Sequence, residues 1–144
     1  SFELYPMARE NIAKALGRWP EIAAERQALV DKWPDQPAGV VDIAMDENVR
    51  LTVVCGPALA NVGASQEKFD AWYLDGFAPS RNGDMWAEAL MRAVFDHTVE
   101  AGTFATYAAA GFVRRNLTAA GFAVERWPGF AGKREMLCGV RPPA

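Results

Sequence analysis

The chain has 144 residues, of which 51% are apolar, 11% aromatic and 23% charged. These values are typical of a packed globular domain and exclude a disordered chain, a collagen-like chain and a small disulfide scaffold. No apolar run approaches the roughly 20 residues that cross a bilayer, so no membrane partner is expected. Residues 1–100 hold nine basic against 16 acidic side chains, whereas residues 101–144 hold six against two. This asymmetry fits either a basic surface for a polyanion or an ordinary solvated face.

The first part of the sequence predicts a strand, two helices and a hairpin. The predicted elements are a strand over residues 1–4, helices over 7–19 and 21–33, and strands over 39–45 and 49–55. Pro6 suits a first helical turn, and Pro20 ends the first helix. The polar Asp46-Glu47-Asn48 joins two β-rich runs, which predicts a hairpin.

The second part predicts alternating strands and helices. The predicted elements are a helical turn over 58–64, strands over 69–74 and 103–107, helices over 85–99 and 109–120, and strands over 122–127 and 134–141. The nearly continuous apolar run 69–74 favours a strand covered on both faces. Asp84 and Gly121 suit an N-cap and a C-terminal glycine. The short turn between the last two strands predicts that they pair antiparallel.

The alternation of elements predicts one α/β domain with a mainly parallel sheet. Ligands of such sheets bind beyond the carboxyl ends of the strands. The candidate positions are therefore Glu3, Gly56, residues 75–79 and residues 107–111.

The stretch Asp75-Gly76-Phe77-Ala78-Pro79 carries the most chemistry. Asp75 could hold an amine and assist its deprotonation, and Phe77 offers a flat face for a base or a cation. Gly76 would let the backbone turn and approach a ligand, while Pro79 would fix the loop. The alternative is a turn whose aspartate caps backbone amides.

Other candidate residues have similarly balanced interpretations. Glu3 could accept hydrogen bonds from ribose hydroxyls, or it could simply favour the dipole of the following helix. The turn 129–134, GFAGKR, suits phosphate contact through Lys133 and Arg134, with Phe130 stacking on an unpaired base. The alternative for this turn is a solvated hairpin tip.

Several common sites are not expected. Cys55 and Cys138 lie in apolar runs without a nearby histidine or cysteine at metal-ligand spacing, which predicts buried, reduced thiols and no metal. His97, the single histidine, is expected on the surface at the end of a helix rather than as a base. Neither a Gly-x-Gly-x-x-Gly fingerprint nor a Walker lysine occurs.

Three motifs together resemble one family. They are FDAWYLDGFAPSRNGDMW at 69–86, TYAAAGFVRR at 106–115 and GKREMLCG at 132–139, and the opening Ser-Phe-Glu resembles a further family strand. In this order they are similar to the methyltransferase domain of the bifunctional tRNA 5-methylaminomethyl-2-thiouridine biosynthesis proteins (MnmC type). The resemblance covers essentially all 144 residues.

The resemblance implies a class I, Rossmann-like three-layer α/β fold that uses S-adenosylmethionine. The implied reaction, carried out as part of a longer parent protein, is N-methylation of 5-aminomethyl-2-thiouridine at the tRNA wobble position, in the cytoplasm. The implied partners are tRNA and a fused or separate FAD-dependent oxidoreductase domain. The implied site residues are Asp75, Gly76, Phe77 and Pro79 for catalysis, Glu3, Gly56 and Asp75 for the cofactor, and Arg114, Arg115, Lys133 and Arg134 for tRNA.

Two departures from the family pattern bear on cofactor binding. Nothing precedes Ser1, so the family's first strand and glycine-rich loop are missing, which predicts an N-terminally truncated domain over 1–144. In the class I strand order 3-2-1-4-5-7-6, the strands at 1–4 and 69–74 then lose their shared neighbour. Pro57 follows Gly56 where the family has an acid, which removes an acceptor for the adenine amine. The expectation is weak or no cofactor binding, and a noncatalytic tRNA-binding module is the alternative function.

Overall fold

The computed structural model describes residues 1–76, 78, 80–81 and 83–143. The strands are β1 Phe2–Glu3, β2 Val40–Ala44, β3 Arg50–Cys55, β4 Phe69–Tyr73, β5 Thr98–Thr106, β6 Ala123–Pro128 and β7 Glu135–Val140. The α-helices are α1 Arg9–Leu16, α2 Ala23–Lys32, α3 Ala58–Ala64, α4 Glu88–Asp96 and α5 Gly111–Ala120. This order confirms the predicted sequence of elements. Phe77 and Pro79, predicted in the catalytic loop, lie outside the described residues.

The chain forms two compact units, Ser1–Asn61 and Val62–Ala144. The first unit holds a three-stranded sheet in the order β1-β3-β2, with β1 parallel and β2 antiparallel to β3. Its buried core consists of Ile12, Trp33, Ile43 and Val53. The predicted hairpin is confirmed, because β2 and β3 are consecutive strands that pair antiparallel. In the turn between them, the Asp46 carboxylate accepts hydrogen bonds from the backbone N–H groups of Asn48 and Val49 at 2.7 and 2.8 Å.

The second unit holds a four-stranded sheet in the order β4-β5-β7-β6. Strands β4 and β5 form a parallel pair, while β7 runs antiparallel to both of its neighbours. The order matches the 4-5-7-6 part of the class I arrangement, and the antiparallel pairing of the last two strands is confirmed. Both sheets are mixed, because the hairpins β2–β3 and β6–β7 each add one strand, β2 and β7, that runs against the others.

Helices α4 and α5 bury one face of the second sheet. The fully or almost fully buried side chains of this core include Met91, Val94, Phe104, Val113, Leu117 and Leu137. Phe122 makes edge-to-face contacts with Phe95 and Phe104, with ring centroids 5.0 and 4.9 Å apart. This packing fixes the positions of the loops that follow β4, β5 and β6.

Strand β4 is not covered on both faces as the sequence predicted. It lies at the edge of its sheet, with β5 as its hydrogen-bonded neighbour, and the Tyr73 side chain is 86% exposed. The apolar run does not distinguish an edge strand from a central one, because both are rich in aromatic residues.

The predicted helix over 85–99 divides into three elements. A 3₁₀ turn, Gly83–Trp86, precedes α4, whose N-cap is Ala87 rather than Asp84. The helix ends before Thr98, which opens β5, is fully buried and donates its hydroxyl hydrogen to the carbonyl of Val94 at 2.7 Å. Gly121 does end α5 as predicted, with a φ of 120°.

Within the described part of the chain, no helix combines the length and apolarity that a bilayer crossing requires.

Candidate functional site

The two cofactor residues predicted in the first unit lie side by side. Strands β1 and β3 are parallel and end together, with Glu3 opposite Cys55. The Gly56 N–H donates to the Glu3 carbonyl oxygen at 2.9 Å. The Glu3 side chain is exposed, and its Oε1 accepts a hydrogen bond from the Ser1 hydroxyl at 2.8 Å. The carboxylate is therefore accessible to a ligand at the carboxyl edge of this strand pair.

Asn61 lies beside Gly56 and was not predicted from the sequence. Gly56 has a φ of +128°, and a Cβ built there would lie 3.2 Å from the Asn61 Nδ2 atom. That Nδ2 is buried and has no hydrogen-bond partner among the described residues. A buried donor without an acceptor is costly and calls for a physical explanation, such as an absent ligand.

These groups fit the nucleoside part of the implied cofactor. A carboxylate is a suitable acceptor for two ribose hydroxyls, and an unpaired amide donor suits a ring nitrogen of adenine. Pro57 is exposed and offers no side-chain acceptor for the adenine amine, as the sequence indicated. Glu3 and Asn61 are therefore the residues of the first unit that could hold the cofactor.

Asp75 lies at the carboxyl end of β4, next to the end of β5. The Leu74 N–H donates to the Ala105 carbonyl at 2.9 Å, and the Asp75 N–H donates to the Tyr73 carbonyl at 3.0 Å. The Asp75 side chain is exposed, and within the described ranges its carboxylate has no hydrogen bond or ion pair. The alternative role, capping of backbone amides, stays a prediction, because part of the loop that follows Asp75 lies outside the described residues.

Gly76 lies close to the side chains of Met85 and Trp86. Its φ is not in the left-handed region. A Cβ built at Gly76 would make ordinary van der Waals contacts, 3.4 Å from Trp86 Cζ2 and 3.5 Å from Met85 Cε. Trp86 is 1% exposed, and its carbonyl accepts a hydrogen bond from the Asn116 side chain at 2.8 Å. A buried tryptophan, which sequence reasoning missed, therefore supports the start of this loop.

The four predicted RNA-binding cations lie at the same edge of the second unit as Asp75. Arg114 and Arg115 are exposed near the start of α5, which follows the carboxyl end of β5. Lys133 and Arg134 are exposed in the turn after β6. Because β7 is antiparallel to both β5 and β6, strand β6 points in the same direction as β4 and β5, and its carboxyl end lies at the same edge of the sheet. Among the described residues, none of the four forms an ion pair.

The single histidine and the two cysteines are partly buried. His97 is half-buried rather than at the surface, with Nδ1 2.8 Å from the Ala93 carbonyl and Nε2 3.2 Å from the Ser65 carbonyl. Cys55 and Cys138 are free and half-buried. Burial, and then the nearby Glu125 carboxylate, raises the pKa of Cys138, so this thiol stays protonated at neutral pH. The described residues contain no cluster of three or more metal-ligating side chains.

Comparison with known proteins gives consistent results. The sequence model of a family described as "S-adenosyl-L-methionine-dependent methyltransferase" matches residues 20–142. Two similar relatives are the tRNA 5-methylaminomethyl-2-thiouridine biosynthesis bifunctional proteins MnmC of Chromohalobacter salexigens and Aeromonas hydrophila. Each is 42% identical, over 99% and 98% of this chain respectively. The chain spans 21% and 22% of their lengths, about a fifth.

A solved structure supports the fold. The crystal structure of MNMC2 from Aquifex aeolicus superposes with a TM-score of 0.66 at 22% sequence identity. The match covers 83% of this chain and 38% of that chain. The likeness supports a Rossmann-like α/β methyltransferase fold. Because the family model covers most of the sequence, the chain belongs to the S-adenosyl-L-methionine-dependent methyltransferases.

Proposed function

We propose that this chain, as part of a longer protein, methylates the exocyclic amine of 5-aminomethyl-2-thiouridine at the wobble position of tRNA. The observation that carries the proposal is the edge of the second unit, where an exposed Asp75 carboxylate, without a hydrogen bond or ion pair to the described residues, lies with four exposed cations. A carboxylate suits an amine acceptor, and cations without ion pairs suit a phosphate backbone. The names of the two MnmC relatives support this choice of substrate.

Glu3, Gly56 and Asn61 would hold the cofactor. When bound, S-adenosylmethionine supplies a methyl group attached to a positively charged sulfur. The Glu3 carboxylate would accept hydrogen bonds from the ribose hydroxyls, and Asn61 Nδ2 would donate to an adenine ring nitrogen. Gly56 leaves open the space that a Cβ would fill next to Asn61.

Asp75 would act on the amine. An alkylammonium ion has no lone pair, so the amine must react in its neutral form. The Asp75 carboxylate would accept a hydrogen bond from one N–H, orient the nitrogen lone pair, and take the proton that nitrogen loses as its new bond to carbon forms. Holding both reactants in line provides much of the rate enhancement. Phe77 and Pro79 are proposed to shape the same loop.

The proposal extends to partners and domain organisation. The tRNA backbone would contact Arg114, Arg115, Lys133 and Arg134, and residues 1–144 would form part of one methyltransferase domain of a longer protein. An FAD-dependent oxidoreductase domain, fused or separate, would act on the same modified uridine. A tRNA substrate places this activity in the cytoplasm.

The direct test uses two tRNA substrates that differ only in the exocyclic amine. We expect label from S-adenosylmethionine with a tritiated methyl group to enter tRNA that carries 5-aminomethyl-2-thiouridine. A matched tRNA whose amine is acetylated should remain unlabelled, because its nitrogen lone pair is delocalised. A noncatalytic tRNA-binding module would bind both tRNAs and label neither, and that result would contradict the proposed activity.

The cofactor residues make a separate prediction. Glu3→Gln should weaken binding of S-adenosylmethionine by about 10-fold or more, because it removes a charge-assisted acceptor. Asn61→Ala should weaken it by roughly 2- to 10-fold, since a neutral hydrogen bond is lost. Isothermal titration calorimetry measures both affinities.

Two controls test the specificity of this prediction. Asn48→Ala, in the exposed β2–β3 turn, should leave the affinity unchanged. Without cofactor, Asn61→Ala should not lower the thermal unfolding temperature, because it removes a buried donor that has no partner among the described residues. Loss of stability without loss of affinity would mean that Asn61 is structural.

A further inference from the structure

Strands β6 and β7 project beyond the rest of the second sheet. Pairing of β5 with β7 ends at Thr106–Leu137, whereas β6 and β7 continue through the pairs Trp127–Met136 and Pro128–Glu135. Two further residue pairs extend the strands by about 7 Å before the connecting turn. We refer to residues 127–136 as the ribbon. It projects from the carboxyl edge, where Asp75 lies.

The ribbon carries two exposed aromatic side chains. Trp127 is 55% exposed and Phe130 is 76% exposed. The Trp127 indole is oriented, because its Nε1–H donates to the Glu125 carboxylate at 2.9 Å. Phe130 begins a tight turn in which the Lys133 N–H donates to its carbonyl at 3.1 Å. Ala131 and Gly132 form the centre of this turn with positive φ values of 50° and 83°.

The charge around these rings favours an anionic partner. The two acids nearby are both engaged, Glu125 with the Trp127 indole and Glu135 with Arg126 at 3.9 Å. Lys133 and Arg134 are exposed and form no ion pair among the described residues. Exposed rings next to uncompensated cations suit unpaired nucleobases on a phosphate backbone, because bases stack on aromatic faces and phosphates attract cations.

The strand order gives the distance between the ribbon and Asp75. In the order β4-β5-β7-β6, three strand spacings separate β6 from β4. At the usual spacing this is about 14 Å. That separation is too large for the ribbon to touch the nucleotide that reacts at Asp75, but a few nucleotides of the same strand would span it.

We propose that Trp127 and Phe130 stack on unpaired bases that flank the reacting nucleotide, while Lys133 and Arg134 bind the adjoining phosphates. This proposal takes one element from the proposed function, namely that the bound RNA is a tRNA anticodon loop. The ribbon is then a recognition element that selects an open RNA loop and sets its register relative to Asp75.

The test measures binding of a fluorescein-labelled anticodon stem–loop RNA by fluorescence anisotropy. Trp127→Ala and Phe130→Ala should each weaken binding by about 10-fold, as expected for the loss of one stacked base. Trp127→Phe and Phe130→Tyr should retain most of the affinity. The control is Trp19→Ala in the first unit, because Trp19 is also 55% exposed and carries no predicted role. It should have no effect.

A second RNA identifies the contact. Abasic substitutions in the loop nucleotides flanking the target should weaken binding to the wild-type chain but should add little to the Trp127→Ala and Phe130→Ala variants. Equal RNA binding by wild type and both alanine variants, with unchanged circular dichroism, would overturn the proposal, as would wild-type binding that does not distinguish the loop from a blunt duplex. The acetylated-amine assay tests catalysis separately, so either idea can fail alone.

Discussion

Replacement of Asp75 by asparagine is expected to lower kcat for methyl transfer by about 10²- to 10⁴-fold. Asparagine keeps the shape and one acceptor oxygen, but it cannot take a proton from the amine. The KM for tRNA should change little, because the phosphate contacts lie on other residues. The rates of wild type and variant should both rise with pH, since a larger fraction of the free amine is then unprotonated, while the deficit persists. Single-turnover rates across a pH series measure both effects.

The matched control for this variant is Asp70→Asn. Asp70 is exposed and lies near the start of β4, the strand that Asp75 follows. Its replacement removes the same charge from this strand and should leave the rate within about twofold. If both variants transferred methyl at the wild-type rate, Asp75 would not be the proton acceptor and the assignment of the loop would have to be abandoned.

The order of elements was predictable because it depends on local patterns. Prolines, glycines and apolar periodicity mark the element ends along the chain, and each is a property of a few neighbouring residues. Strand position is not local. The run at 69–74 predicts a covered strand, yet Tyr73 is 86% exposed. Whether a strand lies at an edge depends on which other strands pair with it. The predicted helix end at residue 99 is wrong for a similar reason. Thr98 is held in β5 by hydrogen bonds of its hydroxyl group to the Trp72 indole and the Val94 carbonyl, and the contact with Trp72 is not local in sequence.

The candidate site was predictable to a similar degree. The proximity of Glu3 and Gly56 followed from the rule that parallel strands end at one edge, and the structure confirms that they are adjacent. Asn61 and Trp86 were missed, because their roles come from the side chains that face them. An asparagine in the otherwise apolar helix ALANVGA was the available sequence signal for the first. For Trp86 no comparable signal exists, because a buried tryptophan is ordinary core.

Trp86→Ala is expected to have the largest effect on stability, about 3–5 kcal/mol, because it removes a large buried side chain and leaves a cavity. The same ring lies next to Gly76, because a Cβ built on that glycine would be 3.4 Å from Trp86 Cζ2. We therefore expect a second effect that does not depend on unfolding, namely a slower methyl transfer measured well below the unfolding temperature. Urea denaturation and initial rates at low temperature measure the two effects separately.

Leu117→Ala is the comparison that separates the two effects. Leu117 is fully buried in α5, and its truncation should cost about 2–5 kcal/mol without reaching the loop that carries Asp75. At a temperature where both variants are folded, the Leu117 variant should keep the wild-type rate and the Trp86 variant should not. Trp86→Phe, which restores most of the buried volume, should recover both properties in part. If the two alanine variants lost activity only in proportion to their unfolded fraction, Trp86 would contribute to the core alone, and the geometry of the Asp75 loop would have to be set by other residues.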